Sequence, residues 1–155
     1  MANEVYSKEN VLLESCVTIL EADNSDTGND VREIEYYVAD RIYRKHDNSA
    51  VLPQLIVKVQ ASNSDVSIPS NKYILEVMGV YKMDVDYAQT NLNNLMARVD
   101  FLINKKPVQM NLVVPSKNLR CRHVNKISAL LWDDVVEKVY FSYIRFLVIC
   151  DDEDV

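Results

Sequence analysis

The stretch NKISALLWDDVVEKVYFSYIRFLVIC, from Asn125 to Cys150, decides how the chain is read. Ile127, Leu130, Leu131, Val135, Val139, Ile144 and Leu147 recur at intervals that fit one long helix. Trp132, Val136, Tyr140, Phe141 and Tyr143 are apolar as well and spread beyond a single stripe. A helix that is apolar on more than one side has more surface to hide than a small sheet can cover, so association is expected.

Working back from this stretch, Leu92, Leu95, Met96, Val99 and Leu102 recur at three and four residues, which predicts an amphipathic helix over Tyr87 to Ile103. Asp86 suits its N-cap, Lys105 and Lys106 suit its negative end, and Pro107 stops it. Val108 to Pro115 reads as a short extended link. Further back, Tyr73, Leu75, Val77, Tyr81 and Met83 alternate along one face with Gly79 among them, and Leu55, Val57, Val59 and Ala61 alternate in the run before. These two should pair antiparallel across the polar loop Ser62 to Asn71.

Ile34, Tyr36, Val38 and Ile42 share one parity and read as another strand. Val11 to Leu20 fits a strand or a helical stripe through Leu12, Leu13, Cys16 and Leu20; its Val, Thr, Ile and Cys favour the strand. DNSDTGND, Asp23 to Asp30, is a loop. The expected fold is therefore α+β, a four-stranded antiparallel sheet followed by two helices, as a single domain over residues 1–150 with an acidic tail at 151–155.

At 155 residues and 48% apolar composition one independent core is the default, without disulfide or metal staples. Two glycines, Gly28 and Gly79, exclude phosphate-cradling and dinucleotide-binding glycine loops and the nucleophile elbow. The net charge is −6, and Asp151, Asp152, Glu153 and Asp154 supply four of those charges. A nearly balanced body argues against nucleic-acid binding, despite the local basic residues Lys117, Arg120, Arg122, His123 and Lys126. Three irregularly spaced cysteines suit a reducing cytoplasm, and the apolar runs are too short to span a bilayer.

Catalytic and metal constellations are thin. Cys121 and His123 offer two ligands where a structural zinc needs four. Cys16 and Cys150 lie in apolar runs, which suits burial better than attack with His46. Asp84 with Asp86, and Asp133 with Asp134, fit exposed turns. No enzyme activity and no cofactor are expected. The methionine and aromatic set Met78, Tyr81, Met83, Met96, Met110, Trp132, Tyr140, Phe141 and Tyr143 exceeds what a small monomer needs, so part of it is expected in an interface or groove.

Three stretches resemble the SecB family of protein-export chaperones: Val5-Tyr6-Ser7-Lys8-Glu9, the strand Leu75 to Met83 (LEVMGVYKM), and the proline-bounded Pro107 to Pro115 (PVQMNLVVP). The resemblance implies an ATP-independent cytoplasmic holdase, a dimer or dimer of dimers, that binds unfolded client polypeptides in an apolar groove. Met78, Val80, Tyr81, Met83, Met110, Leu112, Val114 and Trp132 are the residues it would use. The connection Asp84 to Asp86 is shorter than the family's crossover. An alternative alignment places the family's first helix at Ile127 to Phe146. The tail lacks the family's zinc-binding cysteine and histidine, which leaves room for a relative dedicated to one client such as an antitoxin. The alternative function is a small acidic inhibitor or adaptor, of phage or mobile-element type, that blocks one folded partner.

Overall fold

The computed structural model describes residues 8–25, 28, 31–45, 51–61, 71–113 and 119–152. The chain is α+β, with nine elements in the order α1 (Lys8–Glu21), α2 (Ile34–Val38), β1 (Ile42–Tyr43), β2 (Gln54–Ala61), β3 (Asn71–Lys82), α3 (Ala88–Ile103), α4 (Pro107–Val113), β4 (Leu119–Asp134) and β5 (Val139–Asp152). The five strands form one sheet in the order β1-β2-β3-β5-β4. β1 runs parallel to β2 and every other pair is antiparallel, so the sheet is mixed.

Two expectations hold. β2 and β3 pair antiparallel with Val57 opposite Val77, and α3 starts and stops within a residue or two of its predicted ends. Tyr87, in a left-handed conformation, takes the cap position expected of Asp86.

Three local expectations are corrected. Val11 to Leu20 is helical: Leu12, Cys16, Ile19 and Leu20 face the core, and the buried Ser15 hydroxyl donates to the Val11 carbonyl at 2.8 Å. In the Ile34 stretch Tyr36 is 56% exposed and Tyr37 5%, which is helical spacing rather than alternation. Asp23 Oδ2 accepts from the Ile34 N–H at 2.9 Å and starts that short helix. Pro107 opens α4 instead of an extended link, since proline at a first helical position gives up no hydrogen bond.

The largest correction falls on Asn125 to Cys150. The expected long helix is a β4–β5 hairpin, so the sheet has five strands where four were expected. Asp134 Oδ1 accepts from the N–H groups of Val136 and Glu137, both at 3.1 Å, and Lys138 has φ 57°. This side-chain turn reverses the chain between two runs rich in aromatic and β-branched residues.

All long helices pack on one face of the sheet: α1 on β2, α3 on β3 and β5, α4 on β4 and α1. Leu55, Val57, Leu75, Val77, Val124, Ile144, Phe146 and Val148 point into that layer and form the main core with Leu12, Leu20, Leu92, Leu95 and Val99. Gly79 sits where α3 presses closest; a Cβ there would lie 2.7 Å from Leu92 Cδ1. Asp23 ties the α1–α2 connection to α3, accepting from Arg98 at 2.8 and 2.7 Å. Burial alone would raise the Asp23 carboxyl, but the two Arg98 bonds, the Ile34 N–H and the arginine charge outweigh it and hold it below its ordinary value. Among the described residues no helix is long and apolar enough to cross a membrane by α-helix.

Candidate functional site

Strand alternation gives the sheet a second face, whose smaller cluster contains Ile56, Val80 and Val139, with Leu52, Met78 and Phe141 packed against them. The register places Val80 opposite Phe141 and Met78 opposite Tyr143, and Trp132 opposite Phe141 on the far side. Trp132 stacks on Phe141 with centroids 5.1 Å apart and meets Tyr143 edge-on at 5.5 Å. Beyond this apolar end the face turns polar: Arg145 donates to Glu76 at 2.9 Å and lies over the Tyr143 ring at 4.4 Å. A shallow hollow beside them is lined by Lys58, Gln60, Ile74, Glu76 and Arg145.

The hairpin carries the second feature. Ile127, Leu130, Leu131, Val135 and Val136 are all exposed, Leu130 to 50% and Val136 to 89%. Leu130 lies opposite Tyr143, on the aromatic face, while Leu131 lies opposite Ser142 on the other. Both sides of the distal hairpin are thus apolar and open.

β4 is also an outer strand of the sheet, and its edge is treated differently along its length. Near the base, Asn111 of α4 acts as a substitute strand: its Nδ2 donates to the Cys121 carbonyl at 2.9 Å and its Oδ1 accepts from the Cys121 N–H at 2.7 Å. Lys105 N–H donates to the Val124 carbonyl at 2.7 Å, and Asn104 Oδ1 accepts from the Lys126 N–H at 3.0 Å. The α3–α4 connection therefore caps the edge from Cys121 to Lys126, a common defence against unwanted strand addition. From Ser128 to Asp134 no strand of the described residues pairs with it.

Within the basic stretch Arg122 pairs with Asp151 and Lys126 with Asp100. Asp151 and Asp152 belong to β5 rather than to a free tail. Cys121 lies opposite Cys150, both buried. The Cys150 thiol is pushed far above its ordinary value, first by its hydrogen bond with Cys121 and then by burial.

Of the residues named from the sequence, Met78, Val80 and Trp132 are brought to one apolar face, Val80 fully buried within it. Met83 is half-buried just past β3, where its N–H donates to the Lys138 carbonyl. Tyr81 and Met110, 4% and 2% exposed, belong to the helix-side core. Leu112 lies in α4, and Val114 is outside the described residues. Ile127, Leu130, Leu131, Val135, Val136, Phe141 and Tyr143 lie outside the site residues named from the sequence. Val136, Phe141 and Tyr143 are among the apolar positions that overflow one helical stripe, whereas Ile127, Leu130, Leu131 and Val135 belong to the stripe itself and carry no separate signal.

No protein-family model and no curated protein matches the chain. Among solved structures, it is similar to a chain in the virion of the native gene transfer agent (GTA) particle. The two superpose with a TM-score of 0.69 at 10% identity, over 94% of this chain and 98% of that one. At that identity the likeness is one of fold.

Proposed function

We propose that this protein is a structural subunit of a virion-like particle, which docks on folded neighbours through its β4–β5 hairpin. The observation that carries this reading is the exposure of Ile127, Leu130, Leu131, Val135 and Val136 in a single ten-residue stretch. Burying a large aliphatic side chain is worth about 1.5–3 kcal/mol, so such a concentration marks a contact surface. The fold shared almost end to end with a chain of a particle virion supports the same reading.

The direct test is immunogold electron microscopy of particles released by cells that carry the gene. Label at a fixed place on the particle is the expected result. Particles that contain no trace of the protein by labelling and by peptide mass spectrometry would overturn the reading.

A second reading, the ATP-independent holdase, draws on the half-buried Met78, Phe141, Tyr143 and Trp132, since methionine and flat aromatic rings suit varied apolar chains. Tyr81 and Met110, sealed in the core, contribute nothing to such a groove. Light scattering from a heat-unfolded client separates the two: suppression at equal subunit concentration favours the holdase, and undiminished aggregation favours the particle subunit.

A further inference from the structure

We propose that the distal half of β4 is a pairing edge for a second copy of this chain, joined antiparallel about a two-fold axis at Leu131. The inference rests on the docking role proposed for the hairpin and specifies one occupant of it.

The backbone defines the available edge. Cys121, Val124 and Lys126 turn hydrogen-bonding groups outward, where Asn111, Lys105 and Asn104 meet them. Lys126 stands opposite Phe146, and past the irregularity at Ile127 Ala129 stands opposite Ile144. Since β5 alternates regularly between those two positions, the outward groups beyond the irregularity belong to Ala129, Leu131 and Asp133.

Two boundaries limit the register, and axes at Leu130 or Trp132, which the same outward groups also allow, are disfavoured because they set Ile127 or Leu131 against Asp133. Moving the axis toward the base, to Ala129, would bring the partner's Asp133 and Asp134 against Asn125 and Val124, where Asn104 and Lys105 already occupy the edge. Moving it toward the tip, to Asp133, would set that carboxylate against its own copy, and like charges directly opposite destabilise a sheet. With the axis at Leu131, Leu131 meets its own copy, Leu130 meets Trp132, Ala129 meets Asp133, Ser128 meets Asp134 and Ile127 meets Val135. No like charges face each other, the Ser128 hydroxyl can donate to the Asp134 carboxylate, and Lys126 comes near Glu137. Each large exposed apolar residue of the strand, Ile127, Leu130 and Leu131, gains an apolar neighbour. The Trp132–Phe141–Tyr143 patch continues across the junction on one face, because paired residues share a face. This self-complementarity is what an isologous contact requires and what a strand of unrelated sequence would lack.

The test uses the full chain with Leu131→Cys, oxidised by glutathione disulfide, which takes up the two electrons and two protons as the inter-chain bond forms. Val136→Cys is the control, because in this register the two Val136 positions lie about 30 Å apart at ~3.3 Å per residue. Leu131→Cys should form a disulfide-linked dimer at least about tenfold faster than Val136→Cys, since paired thiols meet at high effective concentration. Leu131→Lys, with circular dichroism unchanged, should reduce the light-scattering mass from two chains to one. Equal cross-linking of the two cysteine variants, a monomeric wild-type protein, or a dimer that persists in Leu131→Lys would each overturn the pairing. Labelled particles alongside any of those results would leave the particle-subunit reading standing.

Discussion

Trp132 and Phe141 stack across the β4–β5 pair, their rings 14° from parallel, on the sheet face opposite the helices. The indole is half-buried, so it is neither a plain core residue nor a free surface one. Trp132→Ala should cost about 1–2 kcal/mol in urea unfolding, the stacking contribution plus part of the burial. Phe141→Ala should move the single tryptophan's emission to longer wavelength and increase its quenching by acrylamide.

Gly79 meets α3 so closely that Gly79→Ala would place a methyl 2.7 Å from Leu92 Cδ1 and 3.1 Å from Met96 Sδ. Leu92 is wholly buried in the main core, so it has little space to move into. Overpacking of about 1–3 kcal/mol exceeds the roughly 0.4–1 kcal/mol that alanine contributes by restricting the unfolded chain. The substitution should lower the thermal midpoint.

Asp23 and Arg98 join three helices through a largely buried, two-point contact. Asp23→Asn should cost about 2–3 kcal/mol at neutral pH, in the range of hydrogen bonds to charged groups. Because the folded carboxyl titrates below its ordinary value, its stabilisation is present above about pH 4 and is lost as pH falls through the folded value. The difference between wild type and Asp23→Asn should shrink in acid, as read from urea midpoints across pH. The exposed Glu14–Arg44 pair at 2.6 Å should differ: Glu14→Gln should cost no more than about 1 kcal/mol.

Cys16, Cys121 and Cys150 are all buried, and burial pushes the Cys16 thiol up to about 12. The thiolate is the reacting form. Iodoacetamide at about pH 8 should therefore leave the native protein unmodified and alkylate all three cysteines after unfolding, as counted by mass spectrometry. Rapid native labelling of Cys150 would show that β4 and β5 part at their base.

The β2–β3 pair and α3 are legible in the order of residues alone. Alternation in Leu55 to Ala61 and Tyr73 to Met83, and the three-and-four spacing from Leu92 to Val99 closed by Pro107, each fit a single period. The apolar set read as more than a small monomer needs includes Met78, Trp132, Phe141 and Tyr143, which share the second face of the sheet, and also Tyr81, Met96 and Met110, which the core absorbs. Tertiary structure alone decided the rest. Val11 to Leu20 satisfies both periods, and it is helical because a sheet face lined by Leu55 and Val57 needs a cover. Asn125 to Cys150 also satisfies a helical spacing; what makes it a hairpin is that β3 offers β5 a full ladder of partners from Lys82 to Asn71. Those hydrogen bonds join residues far apart in the chain, so no local window contains them. The same distance hid the site: Leu130 and Leu131 appear as neighbours on one helix until pairing with Tyr143 and Ser142 sends them to opposite faces of a sheet.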